Sequence, residues 1–373
     1  MSEKYLEMPA GELQAVVNTV ESQVGVVPFH TLCVLVAETR QCREYNFSPG
    51  QVRVRVTNDD IVTMSRRPPS IRLKTMKDRL AAGRPFCVSY GAGVDSTAML
   101  IHLARMYDGG RRPEFRPDLI TFADTGNEKR GTYAYLPVMN AFLKRNGFPQ
   151  VETVVYRPKR TKNGMYTTLE ENCLVNRTLP SLAFGYKKCS LKWKRGPQDR
   201  RRAKLPACRQ AWEDGLSVIV AIGYDDGPKD SCRSWDITDD DRYEYIYPLI
   251  EIGWDRDRCI AEIRKEGLAG FETDAGGAWL ESGGVPLKSA CWFCPSLQPE
   301  EVLAYADTEE GRGYLRGIVR MEANARPKLK KIEGLWRNGV KGTRGGKAKP
   351  GSVSKFIADN RLLEGRLPLP VVG

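Results

Sequence analysis

The stretch "RPFCVSYGAGVDSTAMLIHL", Arg84 to Leu103, decides the fold. A short apolar run, Phe86 to Val88, breaks into Ser89-Tyr90-Gly91-Ala92-Gly93-Val94-Asp95-Ser96 and then takes on helical periodicity. A strand that feeds a glycine-bearing loop into a helix N-terminus turns several backbone N–H groups toward one point, where the helix dipole adds partial positive charge. Such a joint holds phosphate. Gly91 and Gly93 let the backbone curl without a Cβ clash, and Ser89 and Ser96 carry hydroxyl donors. Asp95 is the odd member, because an anion beside a bound anion repels it unless a cation intervenes; Mg²⁺ bridging phosphates suits it. The stretch is neither G-x-x-x-x-G-K-[ST] nor G-x-G-x-x-G, since Ser96 takes the place of the third glycine.

Outward from this joint the chain alternates. Strand-like "DLITFA", helix-like "GTYAYLPVMNAFLKRNG" and strand-like "VETVVYR" follow; then, after a long basic segment, "LSVIVAIGY", "YEYIYPLIEIG" and the helical "DRDRCIAEIRKEG". Apolar strands alternating with helices imply a parallel sheet covered on both faces, hence a Rossmann-like, doubly wound α/β domain. That domain is expected over residues 81–300. Residues 1–80 read as an N-terminal extension or small β-rich module, with strands in "HTLCVLVAE" and the alternating "GQVRVRVTNDDIVTM". Residues 301–373 read as a helical and then basic tail. Within it, Trp336 and Phe356 stand among cations and suggest a nucleic-acid-binding arm, stacking plus charge being what a single strand recognises.

Composition narrows the chemistry. The 373 residues carry 58 Lys+Arg against 46 Asp+Glu, a formal charge of +12 that favours polyanionic partners. No apolar run approaches a membrane span and no secretory signal opens the chain, so a cytoplasmic address is expected, with no membrane partner. The two histidines leave little for a Ser-His or Cys-His nucleophile, and His102 falls on a helical pattern as a structural residue. Ten cysteines in a reducing compartment argue against a disulfide framework. Cys33 and Cys87 read as strand packing. Cys291-x-x-Cys294, in "SACWFCPS", has the spacing that lets two thiolates face one metal or cluster.

Taken together, "SYGAGVDS", "DLITFADTGNE", "GYKKCSLKWKRGP", "AIGYDDGPKDSCRS" and "YPLIEIGWDRDRCIAEIRKEGL…VPLKSACWFCP" resemble, in that order, the phosphoadenosine phosphosulfate (PAPS) reductase-like branch of the PP-loop ATP pyrophosphatases, particularly its phage-type members. The resemblance covers roughly residues 83–297. It implies an adenine-nucleotide site for ATP with Mg²⁺, in which a substrate oxygen is adenylated and a sulfur or nitrogen nucleophile then displaces AMP. Carried onto this chain, Ser89, Gly91, Ala92, Gly93, Val94, Asp95 and Ser96 would hold phosphates. Asp124, Thr125 and Gly126 would lie near the adenosine or the metal. Lys188, Lys192 and Arg233 would neutralise phosphate charge, and Lys194 would join Asp95 and Ser96 in catalysis. The common loop of the family has a further serine where Gly91-Ala92-Gly93 stands here, so one hydroxyl donor is missing.

The family pattern also suggests Cys189 and Cys259 as the remaining thiolates beside Cys291 and Cys294, with Cys232 in reserve, to hold a [4Fe–4S] cluster; a four-cysteine zinc site is the alternative. True sulfonucleotide reductases carry a catalytic cysteine in a C-terminal Glu-Cys-Gly-(Ile/Leu)-His stretch. This chain has no cysteine after Cys294. The expectation is therefore an ATP-dependent sulfurtransferase-type enzyme that modifies DNA or RNA, for example by thiolation, served by a sulfur-donor protein. PAPS reduction through Cys291 or Cys294, or a non-catalytic nucleic-acid-binding protein on the same fold, are the rival expectations.

Overall fold

In the computed structural model the described residues are 5–9, 43–47, 52–56, 61–66, 76–80, 83–158, 163–186, 188–227, 230, 233–234, 239–268, 280–281, 285–286, 289–336 and 351–364. The chain divides into two compact units, Met1–Arg79 and Leu80–Gly373. In the first, β1 (Tyr5–Pro9), β2 (Arg43–Phe47), β3 (Val52–Val56) and β4 (Ile61–Arg66) form an antiparallel sheet in the order β1-β4-β3-β2. The alternating run "VRVRVTNDDIVTM" is thus two antiparallel paired strands, Val52–Val56 and Ile61–Arg66, rather than one. The strand expected in "HTLCVLVAE" lies outside the described residues.

The second unit carries the decisive joint. Strands β5 (Phe86–Tyr90), β6 (Leu119–Asp124), β7 (Val151–Val155), β8 (Val218–Ile222) and β9 (Tyr243–Ile246) make an all-parallel sheet in the order β7-β6-β5-β8-β9. This is the expected Rossmann-like α/β architecture, flanked by helices α1 (Val94–Tyr107), α2 (Arg130–Arg145), α3 (Leu169–Asn176), α4 (Gly196–Arg202), α5 (Pro206–Glu213) and α6 (Arg256–Lys265). The inner strands β5, β6 and β8 are nearly continuous apolar runs because both faces are covered, with Cys87, Val88, Ile219 and Val220 fully buried, whereas edge strand β7 is partly exposed. After β9 the chain turns into a short helix, Pro248–Glu251, where a strand was expected to continue. Proline cannot donate to a ladder, so the strand stops there.

The order of strands reverses at β5: β6 and β7 extend to one side, β8 and β9 to the other. Ligands of open parallel sheets bind outside the C-terminal strand ends at this switch point. The Ser89–Ser96 loop leaves β5 there.

Beyond Pro299 the same unit continues with α7 (Pro299–Ala304), α8 (Glu309–Ala325) and α9 (Val353–Asp359). A second core joins α3, the Cys291–Leu297 segment, α8 and α9. Glu322, buried on α8, accepts hydrogen bonds from the backbone N–H groups of Leu335, Val353 and Ser354 and from the Ser352 hydroxyl, tying α9 to α8. The aromatic pair of the basic tail proves to be core. Trp336 is 1% exposed, donates its indole N–H to Leu297 O at 3.0 Å, and meets Phe356 edge-on at 5.3 Å. Neither ring is presented for stacking as the sequence suggested. No described helix is long and apolar enough to cross a membrane.

Candidate functional site

The loop between β5 and α1 builds a small nest of donors. Ala92 adopts a left-handed φ of 57°, so the N–H groups of Gly91 and Gly93 both turn toward one oxygen, Ser96 Oγ, at 3.2 and 3.3 Å. Paired N–H groups of this kind bind anionic oxygen. Ser96 Oγ holds the place that a phosphate oxygen would share or take. Ser89 is committed elsewhere: its single hydrogen goes to Gln198 Oε1 at 2.7 Å, and it accepts from Arg202 at 2.6 Å. Arg202 is 2% exposed on α4, and it and Gln198 anchor the end of β5 rather than leaving a serine hydroxyl to donate to phosphate.

Two contacts the sequence did not announce complete the loop. Gly223, just past β8, presses on the first turn of α1: a Cβ there would stand 2.5 Å from Ser96 Cα. Ser289 lies over the loop, its Oγ 3.1 Å from where a Cβ on Gly93 would stand and 3.6 Å from one on Gly91.

At the N-terminus of α1, the carboxylates of Asp95, Asp225 and Asp230 come within 4.8 Å of one another. Burial pushes the Asp95 carboxyl up to about 7; Arg256, 3.4 Å away, pulls it down, and Asp225 and Asp230 push it further up. Asp225 is likewise raised, by burial first and by Asp230 among its neighbours. Three carboxylates this close could offer hard oxygen donors to a divalent cation. Arg233 pairs with Asp230 at 2.9 Å, covers the Tyr224 ring and acts electrostatically on Asp95, so it stands beside this group.

Asp124 closes β6. Its Oδ1 accepts from Gly126 N and from the Tyr133 hydroxyl, each at 2.7 Å. Gly126 has a left-handed φ of 76°, and a Cβ there would meet Thr168 at 2.6 Å, so only glycine fits. Thr125 turns the other way, into a buried group of sulfur and charge. Its Oγ1 lies 3.1 Å from Cys291 Sγ and 3.4 Å from Glu128 Oε1. Lys194 reaches the same Glu128 oxygen at 2.9 Å. Burial works against the Lys194 charge, but Glu128, Cys291 and Cys294 more than offset it and its pKa is raised. Burial, then Glu128, pushes the Cys291 thiol up, against the pull of Lys194. Glu128 Oε2 has no hydrogen-bond partner although the side chain is fully buried. Lys194 therefore sits at the thiols, and Glu128, which only ended a quoted motif, is its partner.

The element that delivers these thiols is a short strap. Lys129 N donates to Ala290 O and Trp292 N to Asn127 O, and Glu128 pairs with Cys291 as an antiparallel bridge. Cys189 enters from a π-helical turn, Ser190–Arg195, of a kind that often marks functional positions. Cys173, on α3, was not among the expected ligands, yet it shares the second core with Cys189, Cys291 and Cys294 and interacts electrostatically with Cys189. Cys259 does not join them. It sits buried on α6 beside Asp95, Asp225 and Asp255. Cys232 lies outside the described residues. A tetrahedral zinc site with bonds of about 2.3 Å holds its sulfurs about 3.8 Å apart. Among the described residues no three thiols lie within 4.8 Å of one another.

Lys188 and Lys192, expected at phosphates, lie over the rings of Tyr186 and Tyr156, at 5.9 and 4.9 Å. His102 is buried against Trp254 with its pKa lowered to about 4 by burial and Arg105, a neutral structural residue. No protein-family model matches the chain, and no curated protein matches it.

Proposed function

We propose that the chain is a PP-loop enzyme of the PAPS reductase-like kind, one that binds ATP and adenylates a substrate oxygen so that sulfur or another nucleophile can replace it. The observation that carries this reading is the pair of N–H groups from Gly91 and Gly93 converging on one oxygen at the sheet's switch point, beside a triad of carboxylates. In this reading the loop N–H groups and the α1 dipole bind the pyrophosphate oxygens. Asp95, Asp225 and Asp230 would hold a divalent cation, which supplies charge neutralisation between the phosphates. Ser96 and Ser289 donate to phosphate oxygens, and Arg233 balances the negative charge that leaves with pyrophosphate.

Cys173, Cys189, Cys291 and Cys294 would hold the [4Fe–4S] cluster, whose chemistry is to bind or transfer sulfur. Lys194, fixed by Glu128, brings a cation to the same end of the site. Reduction of PAPS is the alternative reading, and sulfite release from PAPS in the presence of thioredoxin would support it. The net positive charge supports DNA or RNA as the substrate. Asp95→Ala tests the reading: the purified variant should keep its fold and lose release of pyrophosphate from ATP. Retained release would refute it.

A further inference from the structure

A stripe of alternating rings and cations runs across the surface beside the thiol site. Tyr186, 62% exposed, carries Lys188 over its ring at 5.9 Å. Lys192, four residues on, lies over Tyr156 at 4.9 Å, and Arg200 covers the same Tyr156 ring at 5.8 Å. Tyr156 in turn packs on Trp193 at 4.8 Å, and the next residue, Lys194, reaches inward to Glu128. Leu191 and Met165, 53% and 73% exposed, add apolar surface to the same region.

The charges on this stripe lack their usual partners. Arg195, Arg201 and Arg202 nearby pair with Asp240, Glu152 and Asp199. Among the described residues Lys188, Lys192 and Arg200 pair with no carboxylate, only with rings. An exposed cation held over an aromatic face keeps most of its attraction for an external anion. Aromatic faces interleaved with such cations are what unpaired bases and their phosphates need together; a duplex hides its base faces, and a lipid surface or acidic peptide has no ring to stack.

We infer that this stripe, Tyr186 through Lys188 and Lys192 to Tyr156 and Arg200, docks a single-stranded polynucleotide and leads it toward Lys194 and the thiols. The inference rests on the nucleic-acid reading of the substrate and relocates that contact from the basic C-terminal segment to residues 156–200. Phosphates lie on Lys188, Lys192 and Arg200 and a base stacks on exposed Tyr186, because the Tyr156 ring is already covered by Lys192 and Arg200 and packed on Trp193.

The test is fluorescence anisotropy of the full-length protein with labelled oligothymidylate of about 12 nucleotides, within the span such platforms cover. No ATP is added, so the outcome is independent of the nucleotide chemistry, which Asp95→Ala tests separately. The single strand should bind more tightly than the same strand paired with oligoadenylate. Tyr186→Ala should weaken binding roughly 5- to 100-fold. The double variant Lys188→Ala/Lys192→Ala should lower the slope of log affinity against log salt by about 1.4, two single-strand phosphate contacts. These side chains are exposed, so the variants should melt with the parent. Equal binding of duplex and single strand, parental affinity in both variants, or binding to anionic vesicles or polyglutamate in place of the oligonucleotide would each overturn the assignment.

Discussion

Replacing Gly223 by alanine tests the geometry on which the phosphate site depends. The added methyl would stand 2.5 Å from Ser96 Cα, 2.7 Å from Ser96 N and 3.0 Å from the Asp95 carbonyl carbon. Carbon atoms in ordinary contact lie about 3.5–4.0 Å apart, so the overlap is about 1 Å. Its partners are backbone atoms in the first turn of α1, which cannot swing aside as a flexible side chain would. Gly223 lies outside the left-handed region, so the cost is steric alone. Overpacking of this kind costs about 1–3 kcal/mol, and contact with rigid backbone puts it at the upper end. At about 2–4 °C per kcal/mol for a unit of this size class, melting should fall by about 4–10 °C. Moving Asp95 and Ser96 by an ångström should also cut pyrophosphate release about a hundredfold, because positioning errors of that size carry such penalties. Differential scanning calorimetry and a coupled pyrophosphate assay read the two effects. Gly313→Ala, on the exposed face of α8 with no neighbour within 4 Å, is the control and should melt at or slightly above the parent. If Gly223→Ala melts and turns over as the parent does, the close approach of β8 to the loop is wrong.

The Asp95 carboxyl gives a pH signature. Its pKa is about 7 in the folded chain against about 3.9 unfolded, so between those values the native state holds a proton the unfolded state has lost. Metal-free protein should therefore lose stability as pH rises from 4 to 7, by on the order of 2–4 kcal/mol, and Asp95→Asn should flatten that part of the urea-denaturation profile. Adding Mg²⁺ at pH 8 should restore stability to the parent and not to Asp95→Asn. Protein purified without oxygen should be brown; alanine at Cys173, Cys189, Cys291 or Cys294 should lower bound iron and sulfide, while Cys259→Ala should retain both. Glu322→Ala strips an acceptor from four donors at once and should cost about 3–5 kcal/mol, with hydrogen exchange rising first in α9.

Local pattern made the sheet legible. The apolar run, the glycine loop and the helical period lie within twenty residues of Arg84, and the buried strands β5, β6 and β8 carry nearly continuous hydrophobic signals. The segment 163–213 was harder, because short helices and a π-helical turn leave no single period to detect. The thiol set shows the same limit. Cys291 and Cys294 announce themselves by spacing, but nothing local separates Cys173 from Cys259. One lies on α3 within the second core and the other on α6 beneath the acidic triad, a difference made by tertiary packing alone. Trp336 misled for a related reason: surrounding cations mark a segment as basic without saying which way one ring points.

Ser289 and Glu128 could not be found from spacing, yet they explain how two distant motifs make one site. The strap at Ala290–Trp292 is paired to the chain at Asn127–Lys129 in extended form. Side chains two residues apart on extended backbone share a face and stand about 7 Å apart. Ser289 touches the phosphate loop and Cys291 touches Thr125 and Glu128, so one rigid step of backbone sets the distance from loop to thiol. A reaction that activates an oxygen with nucleotide and then delivers sulfur to the same atom needs that distance held. In the proposed function the CxxC motif then has two parts to play: it offers thiols to the cluster and, through Ser289, sets their distance from the Gly91–Gly93 loop.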